Sequence, residues 1–156
     1  MTTEQRPALY LEDLAIGDSW TTDEYIISAK EIVEFAAQFD PQVFHLYAGE
    51  AKDSFFGGLA ASGWHTAALS MRLLVTSGIP LAGGLIGAGA DVSWPTATRP
   101  GDVLHVESTI ESIAPSVSRP DRGMTIVRSE TLTAQGEVRQ LLIARLMVFR
   151  RPQVTA

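Results

Sequence analysis

An aspartate and a histidine, Asp40 and His45, stand five positions apart in the stretch Phe39-Asp40-Pro41-Gln42-Val43-Phe44-His45. Histidine is the commonest general acid or base near neutral pH, and a nearby carboxylate can hold or share the water it acts on. Further along, Ala61-Ser62-Gly63-Trp64-His65 opens a long apolar run. The first turn of a helix carries unpaired N–H groups and the positive end of its dipole, and glycine lets a ligand approach the backbone closely. A carbonyl oxygen held at Gly63 would be stabilised as it becomes an enolate; losing one such donor typically costs about 3–4 kcal/mol of barrier. Asp40, His45 and Gly63 thus supply the parts for adding water across a polarised double bond, or for removing it. Ordinary roles compete: Asp before Pro is a common turn former, and Gly63 serves equally well for tight packing.

The other candidates carry less. His65, beside Trp64, could line a pocket but reads better as a histidine held inside a packed helix. His105 falls in an alternating strand and faces solvent or the sheet edge. Three scattered histidines without paired spacing give no metal site. Arg99 and Asp102 flank a Pro-Gly turn and read as a surface turn between strands. Trp94-Pro95 packs at a sheet end, and Arg119, Arg122 and Arg128 surround a solvated loop.

Bulk composition narrows the classes. The 156 residues, 46% apolar and 19% charged, suit one globular domain. A net charge of −6 without a dense basic run argues against nucleic acid, although a few local arginines could still hold a small anion. The chain has no cysteine, which excludes disulfides, thiolate catalysis and Cys-based zinc sites and fits the cytoplasm. Met1 to Pro7 is polar, so no secretory signal is expected. The apolar stretch from Gly57 to Ala90 is broken by His65, Arg72 and several glycines, too interrupted for a membrane span.

Positioning these residues requires particular elements. Ser19 to Ile27 reads as a first strand. Ser28 with Glu31 is a capping box, and Ile32, Phe35, Ala36 and Phe39 recur at helical spacing, so a helix is expected over Ala29 to Phe39. Pro41 ends it by pushing Asp40 out of the α region. Asp40 to Gly58 is expected as loop, with a helical turn around Ala48 to Asp53. Ser62 caps a second helix running to Ser77, stopped by Gly78. That helix is apolar on nearly every face and must be enclosed by protein. Strands follow over Leu85 to Trp94, Val103 to Ile113, Met124 to Ala134 and Glu137 to Arg150. The pattern predicts an α+β fold in which a strongly curved antiparallel sheet wraps a long central helix. The helix's remaining face calls for a homodimer. One domain is expected over residues 8–151, with residues 1–7 and 152–156 as flexible tails.

Taken together, Asp40…His45, the segment from Phe55 to Thr66, and Trp94-Pro95 with Arg99-Pro100-Gly101-Asp102 resemble the MaoC-like dehydratase family, which includes the R-specific enoyl-CoA hydratases. The likeness runs from about Tyr10 to Arg150. It implies a hot-dog fold, a dimer with a long antiparallel sheet, and an acyl-CoA thioester as substrate, with no cofactor beyond the coenzyme A that the substrate carries. In the family's Asp-x-Asn-Pro-x-His loop the Asp and His hold the catalytic water; those positions are Asp40 and His45. The family's glycine at the central-helix start corresponds to Gly63. Gln42 stands where Asn is usual, Val43 where Pro is usual, and Tyr47 where an acidic residue is often found. Gln42, Phe44, Phe55, Phe56, Ser62 and Trp64 are the expected substrate-binding set; the phenylalanines would wall an acyl tunnel, or pack in the core or a dimer interface.

The leading expectation is reversible hydration of a trans-2-enoyl-CoA to the 3-hydroxyacyl-CoA. A hot-dog thioesterase is one alternative, against which stands the absence of Asp or Glu between Ala61 and Ser77. A non-catalytic acyl-CoA-binding subunit is another. No nucleic-acid or membrane partner is expected, and assemblies larger than a dimer remain open.

Overall fold

The computed structural model describes residues 5–154. The first helix, α1, spans Ala29–Phe39, and its N-terminus forms as its sequence dictates: the Ser28 hydroxyl accepts from the Glu31 N–H and the Glu31 carboxylate accepts from the Ser28 N–H. Burial of Ile32 and Ala36 fixes the helix by one face. It ends at Asp40, which leaves helical geometry ahead of Pro41.

The expected loop that follows is more ordered than its sequence suggests. The helical turn expected around Ala48 to Asp53 forms as α3 (Ala48–Ala51), and a second, unexpected single-turn helix, α2 (Val43–Leu46), precedes it, so His45 rides on a helical turn. Helix α4 then runs from Gly63 to Ser77, with Ser62 as N-cap and Gly78 as C-cap. Arg6 donates to the Ser77 and Gly78 carbonyls at its C-terminal end. The expected N-terminal tail is therefore tied down at Arg6; Met1 to Glu4, and the C-terminal pair Thr155 and Ala156, lie outside the described residues.

Six strands form one antiparallel sheet: β1 (Ser19–Thr21), β2 (Tyr25–Ile26), β3 (Ile86–Ser93), β4 (Val103–Pro115), β5 (Arg122–Thr133) and β6 (Val138–Phe149). Their order is β1-β4-β5-β6-β3, with β2 also on β4. The single strand expected over Ser19 to Ile27 is broken because Thr22 is buried and its hydroxyl accepts from the Val106 N–H at 2.8 Å, while its own N–H donates to the Val106 carbonyl. The pairing shifts from Thr21↔Glu107 to Tyr25↔Leu104 across this point, a bulge that bends the edge.

Alternation along the long strands puts Leu104, Val106, Ser108 and Ile110 of β4, Val127 and Ser129 of β5, and Ala144, Leu146 and Val148 of β6 on the buried, concave face. Helix α4 lies in that concavity. Leu69 packs with Leu104, and Leu73 and Leu74 pack with Val106. This is the hot-dog arrangement. Buried hydroxyls tie the helix to its surroundings: Ser70 pairs with Thr131 of β5 at 2.6 Å, and Thr66 donates to Thr98, in the β3–β4 connection, at 2.8 Å. The expected full enclosure of α4 is not met within one chain. Trp64, Ala68, Met71 and Val75, at positions that share one face, are exposed, Trp64 and Val75 each by 62%. Among the described residues no helix is long and apolar enough to cross a membrane.

Candidate active site

Asp40 closes α1 and His45 sits one turn into α2, and the chain reversal at Pro41 turns the two side chains toward each other. His45 Nε2 lies 3.2 Å from Asp40 Oδ2. The other ring nitrogen, Nδ1, is 2.6 Å from the Ala60 carbonyl oxygen. A carbonyl can only accept, so Nδ1 carries a proton, and in a neutral ring Nε2 is then the free nitrogen, facing the carboxylate. At 3.2 Å the two atoms are within direct hydrogen-bond reach of each other. His45 is buried, and Asp40 is partly so.

Gln42 donates to Asp40 Oδ1 at 2.6 Å, and the buried Ser62 hydroxyl lies near the same carboxylate. Burial by itself pushes the Asp40 carboxyl up. The Gln42 amide, the Ser62 hydroxyl and the facing imidazole together outweigh it and hold the group below its ordinary value. Ser62 also caps α4, its Oγ accepting from the Trp64 N–H at 3.3 Å.

A cavity of about 280 Å³ opens beside this pair, lined in part by His45, Phe56, Gly63, Thr66, Trp94 and Arg139. Gly63, the first residue of the 15-residue α4, has an N–H with no acceptor inside the helix. Its missing side chain is required: a Cβ there would lie 2.6 Å from the six-membered ring of Trp94. Trp94 is pinned by its indole N–H, which donates to Gln140 Oε1 at 2.9 Å, and by an edge-on contact with Trp64 at 5.2 Å. Both readings of Gly63, close packing and close approach to a ligand, therefore meet at one residue.

The remaining candidates divide by position. Phe56 and Phe55 line the cavity, Phe55 at its mouth with 96% of its surface exposed. Phe44 stands behind them, packed against His45 at 4.5 Å and Phe56 at 4.9 Å. Trp64 does not line the cavity and sits edge-on to Trp94, which does. His65 is buried and lies flat on Phe35 at 4.5 Å; burial lowers its pKa, partly offset by Glu31, and among the described residues its Nδ1 has no hydrogen-bond partner. His105 meets Glu107 at 3.2 Å on the outer side of the sheet. Among the described residues no group of His, Asp or Glu stands close enough to hold a metal ion.

Sequence reasoning missed the arginines. Arg139, almost wholly buried, pairs with Asp102 at 3.0 Å and donates to Thr96 at 2.8 Å. Arg99, read as a surface turn residue, donates to the carbonyls of Phe56, Gly58 and Leu59. The Arg-Pro-Gly-Asp turn was visible, but its partners come from segments some 40 positions away.

With this geometry in hand, comparison with known proteins is specific. The family model described as MaoC like domain matches residues 13–129. The crystal structure of a MaoC-like dehydratase from Rhodospirillum rubrum is 57% identical, covers 94% of this chain and 100% of that one, and superposes with a TM-score of 0.92. The unliganded R-hydratase PhaJ1 from Pseudomonas aeruginosa shares the fold at 21% identity, covering 96% and 97% of the two chains with a TM-score of 0.73. The uncharacterised protein YdeM of Bacillus subtilis is 33% identical over 90 residues, which are 58% of this chain and 62% of that protein's length.

Proposed function

The chain belongs to the MaoC-like dehydratase family, and from that premise we propose that it catalyses the reversible hydration of a trans-2-enoyl-CoA to the 3-hydroxyacyl-CoA. The observation that carries the reading is the facing pair, His45 Nε2 and Asp40 Oδ2 at 3.2 Å, of which His45 lines the cavity that Gly63 also lines. A water resting against both groups from the cavity side, rather than in the 3.2 Å gap between them, would be aimed at C3 of the enoyl group. His45 Nε2 takes a proton from that water as its oxygen bonds to C3. The C2–C3 π electrons move toward the thioester, and the enolate oxygen is stabilised by the Gly63 N–H at the positive end of α4. The proton is passed by the Asp40–His45 pair to C2, which returns both groups to their starting state. Water is consumed and no redox partner is needed. Phe55 and Phe56 flank the acyl group, and Phe44 braces His45.

Hydration is favoured over thioester hydrolysis by the central helix itself, which carries no carboxylate. A homodimer is part of the proposal, since the face Trp64, Ala68, Met71 and Val75 leaves apolar surface on α4 that a second copy would cover. The test is loss of the conjugated enoyl-thioester absorbance across a panel of chain lengths, with free thiol assayed in parallel. Hydration without thiol release supports the reading. Thiol release points to hydrolysis, and tight acyl-CoA binding without any turnover points to a non-catalytic subunit.

A further inference from the structure

We propose that Arg99 is a positioning residue for His45: by holding the Phe56–Leu59 backbone it fixes the Ala60 carbonyl that decides which imidazole nitrogen is left free. The guanidinium donates through Nη1 to the Gly58 carbonyl at 3.0 Å and the Leu59 carbonyl at 3.3 Å, and through Nη2 to the Phe56 carbonyl. The segment so held contains Gly57, at φ +63°, and Gly58. Two glycines in a row give the backbone wide freedom and no side chain by which to anchor it. What is fixed here is fixed through its carbonyl oxygens, and only a planar fork of several donors can reach three of them at once.

The tether leads directly to the site. Ala60, the next residue, donates its N–H to the Phe44 carbonyl at 3.1 Å, and its own carbonyl oxygen takes the His45 Nδ1 proton at 2.6 Å. Ala61 then donates to the Thr98 carbonyl at 2.9 Å, immediately before Arg99. Arg99 is itself held from behind: its backbone N–H donates to Asp102 Oδ2 at 2.8 Å, and Asp102 is paired with the buried Arg139. An unbroken path therefore runs from the sheet through Arg139, Asp102 and Arg99 to the oxygen that sets the tautomer of His45. With that oxygen displaced, the ring proton is free to move to Nε2, where it would point at Asp40 and remove the lone pair the reaction needs. The kinetic consequence rests on the hydratase reading; the tautomer does not.

The experiment pairs the two. Long-range ¹H–¹⁵N correlation spectra of full-length protein, with His45 assigned by the loss of its signals in His45→Gln, give the tautomer directly. In the wild type His45 is expected as the Nδ1-protonated form. Arg99→Met, and Arg99→Lys as the milder change should the first not fold, are expected to mix in the Nε2-protonated form. If enoyl-thioesters are turned over, kcat should fall about 10- to 100-fold, the usual loss for a supporting hydrogen bond of this kind, with KM little changed. A folded Arg99→Met or Arg99→Lys protein with the wild-type tautomer overturns the proposal, as does a wild-type His45 protonated on Nε2. A wild type inactive on every enoyl-thioester sinks the hydratase reading alone and leaves the spectra to judge Arg99.

Discussion

Adding a single methyl group at Gly63 tests how the central helix and its cover are built. In Gly63→Ala the new carbon would sit 2.6 Å from Trp94 Cδ2 and Cε2 and 2.8 Å from Cε3. Carbon contacts settle near 3.5–4.0 Å, so the indole or the helix start must shift by about 1 Å. Trp94 cannot move freely, being hydrogen-bonded to the buried Gln140 and set edge-on to Trp64. Overpacking of this kind costs about 1–3 kcal/mol. At about 2 kcal/mol, a chain of this length should melt about 4–8 °C lower. A shift of about 1 Å at the helix start also displaces the Gly63 N–H, and misplacements of that size cost about 100-fold in rate. The assay is thermal melting together with enoyl-thioester hydration, on Gly63→Ala, Trp94→Ala and the double variant. Because the clash needs both the added methyl and the intact indole, the two substitutions should be strongly non-additive. The double variant should be less destabilised than the sum of the singles. Simple additivity, or a Gly63→Ala protein that melts and turns over like the wild type, would refute the packing argument.

Other expectations concern helix caps, burial and assembly. His65 is held below its ordinary value of 6.5, chiefly by burial, so the unfolded chain takes up a proton that the folded one resists. That group costs nothing above about pH 6.5, and stability falls as pH drops below it, by at most about 1.4 kcal/mol per pH unit. Urea titrations of His65→Phe, which keeps the stack on Phe35, should show a flatter acid limb than the wild type; identical limbs would contradict this. Ser28→Ala removes both the hydroxyl acceptor and half of the capping box and should cost about 1 kcal/mol, read by denaturant midpoint, with no effect on turnover. Met71→Glu or Val75→Glu puts a charge on the exposed face of α4 and should turn a dimer into a monomer in sedimentation, whereas an unchanged assembly state would mean another face is used.

Much of the frame is local and was therefore readable. The bounds of α1 and α4 follow from Ser28, Glu31, Pro41, Ser62 and Gly78, each of which acts within a few residues. The long strands announced themselves by alternation, and β4 buries the Leu104, Val106, Ser108 and Ile110 set that its pattern picks out. The bulge at Thr22 was not readable, since a threonine hydroxyl standing in for a ladder partner depends on Val106, 84 positions away. Of the site, the Asp40–His45 juxtaposition is encoded in one short loop, and its spacing was enough to raise it. The support is not. Trp94 lying on Gly63 and Arg99 gripping a Gly-Gly segment are tertiary contacts. In the sequence Arg99 and Asp102 look like any Pro-Gly turn, and Arg139 is one more residue of an alternating strand.

The most direct test of the account is the rate of hydration of a trans-2-enoyl-CoA by wild-type protein beside Asp40→Asn and His45→Gln, each checked by its circular dichroism for an intact fold. Removing a positioned general acid or base typically costs about 10²–10⁴-fold, so each variant should lose at least two orders of magnitude while still binding the thioester. Folded variants that hydrate at the wild-type rate would contradict the claim that this pair handles the water.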